Sequence, residues 1–297
     1  MQEKQNPFLW QRKVRVLSPA KINLYLNVTG RYKNGFHRIE SIVNRINLFD
    51  EIVIKAIPER KVFFFCDREE LNNEDNLCVK AAMLMMKRYQ LKCGFNILLK
   101  KNIPIGGGMG GGSSNGAFTL LGIDKLLKLN LSFRKLTRIG EMLGSDVNFF
   151  LSRCKWAYVK GRGEKVIPLD IRVKFKYLLV YPNVGISTAR VYKNTKVGLT
   201  KFINNVNILI HALKRQDYLL VEKTSFNGLE KSAITLCRKL KDIKTSFRKE
   251  GFFCQMTGSG STFFMLLDKS LETKKKVNAL VRRMQDRGFW TFIAQTY

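Results

Sequence analysis

Six of the seven residues from Gly106 to Gly112 are glycine, and Ser113, Ser114 and Asn115 follow with no lysine and no acid among them. Phe95–Leu99 reads as a strand leading towards this run. An amphipathic helical pattern (Ala117, Leu120, Leu121, Ile123, Leu126, Leu127) leaves it. Strand, glycine run and capped helix together put backbone N–H groups and a helix N-terminus around one point, which suits a phosphate. Glycine is the residue such a loop needs, because a Cβ keeps phosphate oxygens away from the amides and some positions require φ > 0. A flexible Gly/Ser linker is the bland alternative, but linkers are not usually butted against a capped helix.

The chain has 297 residues, 45% of them hydrophobic, enough for one large domain or two packed ones. No apolar run approaches the roughly 18 residues of a membrane span, and the N-terminal stretch lacks the apolar segment of a secretory signal, so a cytoplasmic protein with no membrane partner is expected. The six cysteines are widely spaced with no C-x-x-C pair, which argues for reduced thiols over a metal site or disulfide frame. The net charge of +30 makes nucleic acid the first partner to weigh. Yet residues 1–150 carry 24 basic and 13 acidic side chains and residues 151–297 carry 29 and 10, without a run of five like charges. The charge is diffuse, no zinc-finger or RNP1-type motif accompanies it, and no dedicated nucleic-acid partner is expected.

Ile22, Leu24, Leu26 and Val28 alternate with Lys21, Asn23, Tyr25 and Asn27, so Lys21–Val28 predicts a strand with one polar face. Val14–Leu17, Ile39–Leu48, Glu51–Ile57 and Val62–Phe65 read as further separate strands. Asp75-Asn76 is placed to cap a helix over Leu77–Tyr89, and helices are predicted near 114–129 and 133–143, with Ser132 capping the latter. A short helix is expected from Ser145. A hairpin follows at Trp156–Val159 and Val166–Leu169, then a strand at Tyr177–Tyr181. Much of 187–250 reads as helical; Phe252–Met256 and Thr262–Leu267 straddle a second glycine turn, TGSG at 257–260. A basic helix near 271–287 and a strand near Trp290–Ala294 finish the chain. Strands and helices mix without a βαβ beat, so the fold class is α+β, with a boundary near 165–175.

The missing lysine after the glycines excludes a P-loop, and no protein-kinase signature is present. A dinucleotide fingerprint can be written through Gly106, Gly108 and Gly111, but its acid would be Asp124, inside the predicted helix. Pro104 through Ser114 instead fits the P-x-G-x-G-x-[GA]-S-S loop, and the chain resembles the GHMP kinases. SPAKINLYLNVTG (18–30), G-F-H (35–37), EDNL (74–77), IPIGGGMGGGSSN (103–115), LGSDVNFFL (143–151), GRGE (161–164) and MTGSGSTFF (256–264) run in that family's order.

The resemblance implies a two-domain GHMP fold with the active site in the interdomain cleft, an ATP-binding domain over 1–168 and a substrate-side domain over 169–297. It implies ATP and Mg²⁺ as cofactors, with the metal ligands unknown, and catalysis by Lys21 and Asp146. Lys21 would stabilise developing phosphoryl charge, and Asp146 would accept the proton of the substrate hydroxyl. A solvated lysine and a first-turn helix acid are the plain readings of the same two residues. Pro104, Gly106, Gly107, Gly108, Gly110, Gly111, Gly112, Ser113, Ser114 and Asn76 would hold ATP, with the two serines also capping the helix. Asn23, Phe36, His37, Tyr192, Gly258 and Gly260 would hold the second substrate. Phe36 stands where the family usually has tyrosine and keeps a stacking ring without the hydroxyl. Met109, Gly116 and Asn148 replace a usual leucine, alanine and proline. His211 carries only a structural reading.

The G-F-H triplet with its aromatic partner suits a cytosine. The resemblance implies phosphorylation of a cytidine diphosphate conjugate of methylerythritol, in isoprenoid precursor synthesis; a monomer or weak homodimer is expected. Homoserine- or mevalonate-type acceptors are the rivals within the class, and a basic RNA- or DNA-binding protein is the rival outside it.

Overall fold

The computed structural model describes residues 12–195, 206–268 and 271–297. The first residues of the N-terminal stretch read as leaderless, and 196–205 of the helical reading of 187–250, lie outside the described residues. Among the described residues no helix is long and apolar enough to cross a membrane. The chain divides into two compact units. One takes the chain through Pro19, Phe49–Ile103 and Gly111–Arg153; the other takes Ala20–Leu48, Pro104–Gly110 and Cys154–Tyr297. Two long strands, β1 (Lys13–Arg31) and β2 (His37–Ile57), contribute a segment to each.

Each of these strands was expected as two pieces, broken near Pro19 and near Asp50. Pro19 is tolerated inside β1 because the parallel strand β8 (Phe226–Asn227) pairs only with Tyr25 and Leu26, so no ladder bond on that edge is asked of the proline. In β2 the inward phase runs Ile46, Leu48, Asp50, Ile52, Ile54, all buried, and the acid keeps the register.

In the first unit β2 pairs antiparallel with β4 (Gly94–Lys100), which pairs parallel with β3 (Val62–Cys66). Phe95, Ile97 and Leu99 of β4 face inward, and α1 (Leu77–Arg88) packs on α2 (Gly111–Leu127). A Cβ on Gly116 would stand 3.2 Å from Leu77 Cβ, so the glycine costs the helix roughly 1 kcal/mol but lets the two helices approach closely. Asn76 caps α1 as expected, its Oδ1 accepting from Cys78 N at 2.9 Å. Ser132 occupies the N-cap of α3 (Phe133–Leu143), but its side chain makes no capping bond. The short helix α4 (Val147–Leu151) starts two residues later than expected.

In the second unit β2 pairs antiparallel with β5 (Trp156–Gly161), which forms the expected hairpin with β6 (Lys165–Pro168). A separate antiparallel sheet has the order β11-β7-β10-β9. Its strands are β7 (Lys176–Tyr181), β9 (Gln255–Met256), β10 (Phe263–Leu267) and β11 (Trp290–Gln295). The helices are α5 (Thr188–Lys193), α6 (Val206–Arg215), α7 (Tyr218–Thr224), α8 (Glu230–Leu236), α9 (Arg238–Lys249) and α10 (Leu271–Asp286). Leu178, Val180, Phe263 and Met265 of this sheet pack with Leu240, Ile243, Phe247, Leu280 and Met284 in one apolar core. Only residues 255 and 256 of the expected strand 252–256 pair.

Candidate active site

Lys21 lies in β1 with both strand faces buried, so the polar face read from the alternation does not meet solvent. Lys21 and Asn23 are each 4% exposed. A buried ammonium must have polar partners, and Lys21 Nζ donates to Asn23 Oδ1 at 2.6 Å. The Lys21 main-chain N–H donates to Met109 O of the glycine run at 3.0 Å. Asn23 N–H donates to the Thr257 hydroxyl of the TGSG turn at 2.9 Å. Two residues of one strand thus tie together two glycine turns that stand far apart in the chain.

The glycines do different work along the run. Gly106, Gly108 and Gly110 have φ of +68°, +74° and +69°, while 107 and 109 do not share the positive sign. Alternation of the sign of φ is one condition of an anion nest. From Gly106 to Gly108, however, the first constraint is the protein itself. A Cβ on Gly106 would lie 2.8 Å from Gly185 Cα, one on Gly107 would lie 2.8 Å from Thr262 Oγ1, and one on Gly108 would collide with Thr257 O and Gly260 O. The second turn answers: Gly258 and Gly260 have φ of +56° and +88°, and a Cβ on Gly258 would lie 2.5 Å from Gly108 O. Thr262 N–H donates to Gly107 O and the Tyr181 hydroxyl to Ile105 O. Room for a ligand is therefore not why residues 106–108 are glycine; close packing is, against Gly185 at Gly106, Thr262 at Gly107 and the second turn at Gly108. Thr262 Oγ1, buried and without a hydrogen-bond partner, faces this contact.

In the first unit α2 already begins at Gly111. Ser113 and Ser114 therefore lie inside its first turn and do not cap it, which corrects the expected cap. The first-turn N–H groups of a helix have no partner within it and form the anion-binding end. Gly112 is exposed there, and its Cβ would meet only Leu77 Cδ1 at 3.9 Å. Here a missing side chain leaves open space, which fits a phosphate. Ser113 is half-buried, whereas Ser114 turns fully inward, its Oγ accepting from Ser18 Oγ at 2.8 Å.

That inward hydroxyl ends a buried network the sequence reading missed. Asp50 Oδ1 accepts from the N–H groups of Asn102 and Ile103, both at 2.8 Å. Its Oδ2 accepts from Asn115 Nδ2 at 2.8 Å and pairs with Lys101 Nζ. Asn115 Nδ2 also donates to Ser18 Oγ. One carboxylate so fastens the chain entering the glycine run and the first turn of α2. An acid at the inward phase of an apolar strand was the available signal, because a buried charge requires a partner.

Asp146 is half-buried at the N-cap position of α4, with no capping bond from its side chain. It stands one residue ahead of the first turn, in which the plain reading of a first-turn acid places it. A Cβ on neighbouring Gly144 would lie 3.9 Å from Ser113 Oγ, which places the G-S-D turn beside the start of α2.

Gly35, at φ +89°, and Phe36 close the β1–β2 turn, and His37 is the first residue of β2. His37 and Tyr192 are brought together, their ring centroids 4.9 Å apart. Partial burial, then the nearby Arg31 guanidinium, holds the His37 imidazole below its ordinary pKa, favouring the neutral ring. Phe36 is 51% exposed beneath the Arg162 guanidinium. His211 sits exposed on α6. The six cysteines are free, and among the described residues no cluster of three His, Cys, Asp or Glu side chains could hold a metal.

The helix end, the buried lysine and the interlocked glycine turns define a class, the GHMP-type small-molecule kinases. The GHMP kinases N terminal domain matches residues 76–153 and the GHMP kinases C terminal domain matches residues 209–288. The 4-diphosphocytidyl-2-C-methyl-D-erythritol kinase of Prochlorococcus marinus (strain MIT 9215) is 36% identical, over 94% of this chain and 93% of its own. The enzyme of the same name from Caldanaerobacter subterraneus subsp. tengcongensis is 35% identical over 95% and 96%. A crystal structure of 4-(cytidine 5'-diphospho)-2C-methyl-D-erythritol kinase superposes with a TM-score of 0.74 at 28% identity, covering 95% of this chain and 99% of that one. Homoserine kinase from Cytophaga hutchinsonii shares the fold, with a TM-score of 0.75 at 18% identity over 96% and 94%. The chain belongs to the GHMP kinases and, within them, to the 4-diphosphocytidyl-2-C-methyl-D-erythritol kinase family.

Proposed function

We propose that the protein transfers the γ-phosphoryl group of ATP to the 2-hydroxyl of 4-diphosphocytidyl-2-C-methyl-D-erythritol, giving the 2-phosphate and ADP. One observation carries the chemistry: a buried lysine, held by Asn23, whose own main chain is bonded to the glycine run. Phosphate binding is assigned to the first-turn amides of α2 and, by likeness to the family's loop, to residues 104–110, with Asn76 assigned to the adenine end. The Lys21 ammonium meets the negative charge that builds on the transferring phosphoryl group. Asp146 takes the hydroxyl proton as the new P–O bond forms and the bond to the ADP oxygen breaks. Mg²⁺ bound with ATP would screen the charge on the phosphates and would call on few protein ligands, so no dedicated cage is required of this chain.

The cytosine is assigned to the Phe36, His37 and Tyr192 corner, and Gly258 and Gly260 to the backbone around the substrate phosphates. A neutral imidazole there both donates and accepts, which suits a base edge. The ATP side is assigned to 1–168 and the substrate side to 169–297, a boundary inside the interval 154–208 between the two family matches. A cytoplasmic monomer or weak homodimer without a nucleic-acid partner completes the reading.

The test is ADP release with and without the cytidyl substrate, with homoserine and mevalonate as comparison acceptors. ADP formation that depends on the cytidyl compound supports the proposal. Equal turnover of another acceptor, or no turnover together with salt-resistant RNA binding, rejects it.

A further inference from the structure

Thr257 opens the TGSG turn, is completely buried, and has a hydroxyl committed on both sides to one residue. It accepts from Asn23 N–H at 2.9 Å and donates to Asn23 Oδ1 at 3.3 Å. The same Oδ1 accepts the Lys21 ammonium at 2.6 Å. At the other end of the amide, Asn23 Nδ2 donates to Ser41 Oγ at 2.8 Å, and Ser41 spends its single proton on Tyr25 O at 2.5 Å. Ser41 can therefore only accept from Asn23. The amide cannot flip without setting two donors against each other at Thr257 and Lys21 and leaving Ser41 without its donor.

Thr257 is itself held. Asn227 Nδ2 donates to Met256 O at 2.6 Å and to Gly258 O at 2.9 Å, straddling the threonine, while Asn227 Oδ1 accepts from Leu229 N–H. A plain packing threonine requires none of this. We infer that Thr257, with Ser41, is a positioning residue for phosphoryl transfer: it locks the Asn23 amide with its oxygen towards Lys21 and so sets where the ammonium stands. The inference rests on the kinase reading above. Small displacements at a reacting centre cost up to about a hundredfold in rate, so the effect belongs in kcat.

The experiment uses steady-state kinetics of the full chain with ATP and the cytidyl substrate, fold being checked by thermal melting. Thr257→Val, which keeps shape and loses the hydroxyl, is expected to lower kcat about 10- to 100-fold with KM for ATP within about twofold. Thr257→Ser restores most of it. In an Asn23→Ala background Thr257→Val costs less than about twofold, because the group it acts through is gone. Ser41→Ala gives the same kcat-specific loss and serves if the valine variant does not fold. Unchanged kcat in Thr257→Val or, where that variant does not fold, in Ser41→Ala overturns the inference. So does failure of the serine rescue, or an undiminished loss in the Asn23→Ala background. A wild-type protein inert towards this substrate overturns the functional reading and this inference with it.

Discussion

Gly108 and Gly258 exclude each other's side chains: a Cβ on Gly258 would stand 2.5 Å from Gly108 O, and one on Gly108 would strike the carbonyl oxygens of Thr257 and Gly260. Both residues also have positive φ, +74° and +56°. Alanine at either place carries a backbone penalty and a collision with main chain that cannot move aside, so a loss of at least ~2 kcal/mol is expected. Gly112→Ala separates packing from phosphate binding. Its Cβ meets open space within a helix, so stability holds or rises by ~0.5–1 kcal/mol while ATP affinity falls. Thermal melting and nucleotide titration on the three variants check this; equal destabilisation in all three would refute it.

The Asp50–Lys101 pair is almost wholly enclosed, with 0% and 5% of the two side chains exposed. Removing one partner strands the other charge, so Asp50→Asn or Lys101→Met should each cost about 3–5 kcal/mol. Because the two share one network, the double variant should lose clearly less than the sum. Urea denaturation of the set measures it. Additive losses would show that the pair does not act as a unit.

Asp146 stands at the N-cap position of α4 without a capping bond from its side chain, and the near-isosteric change to asparagine tests its charge apart from its shape. Asp146→Asn is expected to lower kcat at least ~100-fold, the scale of a lost acid–base group, with ATP binding retained. Normal turnover by this variant would remove Asp146 from the reaction.

His37 titrates below its ordinary value of 6.5. The folded protein then binds fewer protons than the unfolded chain near that pH. The associated stability is present above 6.5 and is lost as pH falls through the folded pKa. Affinity for the cytidyl substrate should follow the same course, level above 6.5 and weakening below the folded value. An NMR titration of the His37 ring gives that pKa directly. A value above 6.5, or an affinity loss that persists in His37→Asn, would contradict the assignment.

Much of the fold was legible because its signals are short. The alternation around Lys21, the Asn76 cap and the hairpin at 156–168 act over a few residues and appear where expected. Long strands were misread as pairs wherever a proline or an acid interrupted them. Pro19 and Asp50 look like breaks until the neighbouring strand or the buried partner is known. Ser113 and Ser114 read as caps because a cap and a first-turn residue differ by only a few positions along the same hydroxyl-rich run.

The sequence by itself determined that two glycine turns, a strand lysine and a helix-start acid exist in an α+β chain. Local sterics and hydrogen bonding dictate each of these. Only the tertiary structure decided what the pieces do to one another. The Asn23–Thr257 clamp spans 234 residues, the interlocking of Gly108 with Gly258 depends on two turns meeting face to face, and the buried surroundings of Lys21 depend on both faces of β1 being covered. Propensity and capping are properties of neighbours in the chain, whereas burial and partnership arise when distant segments exclude water together.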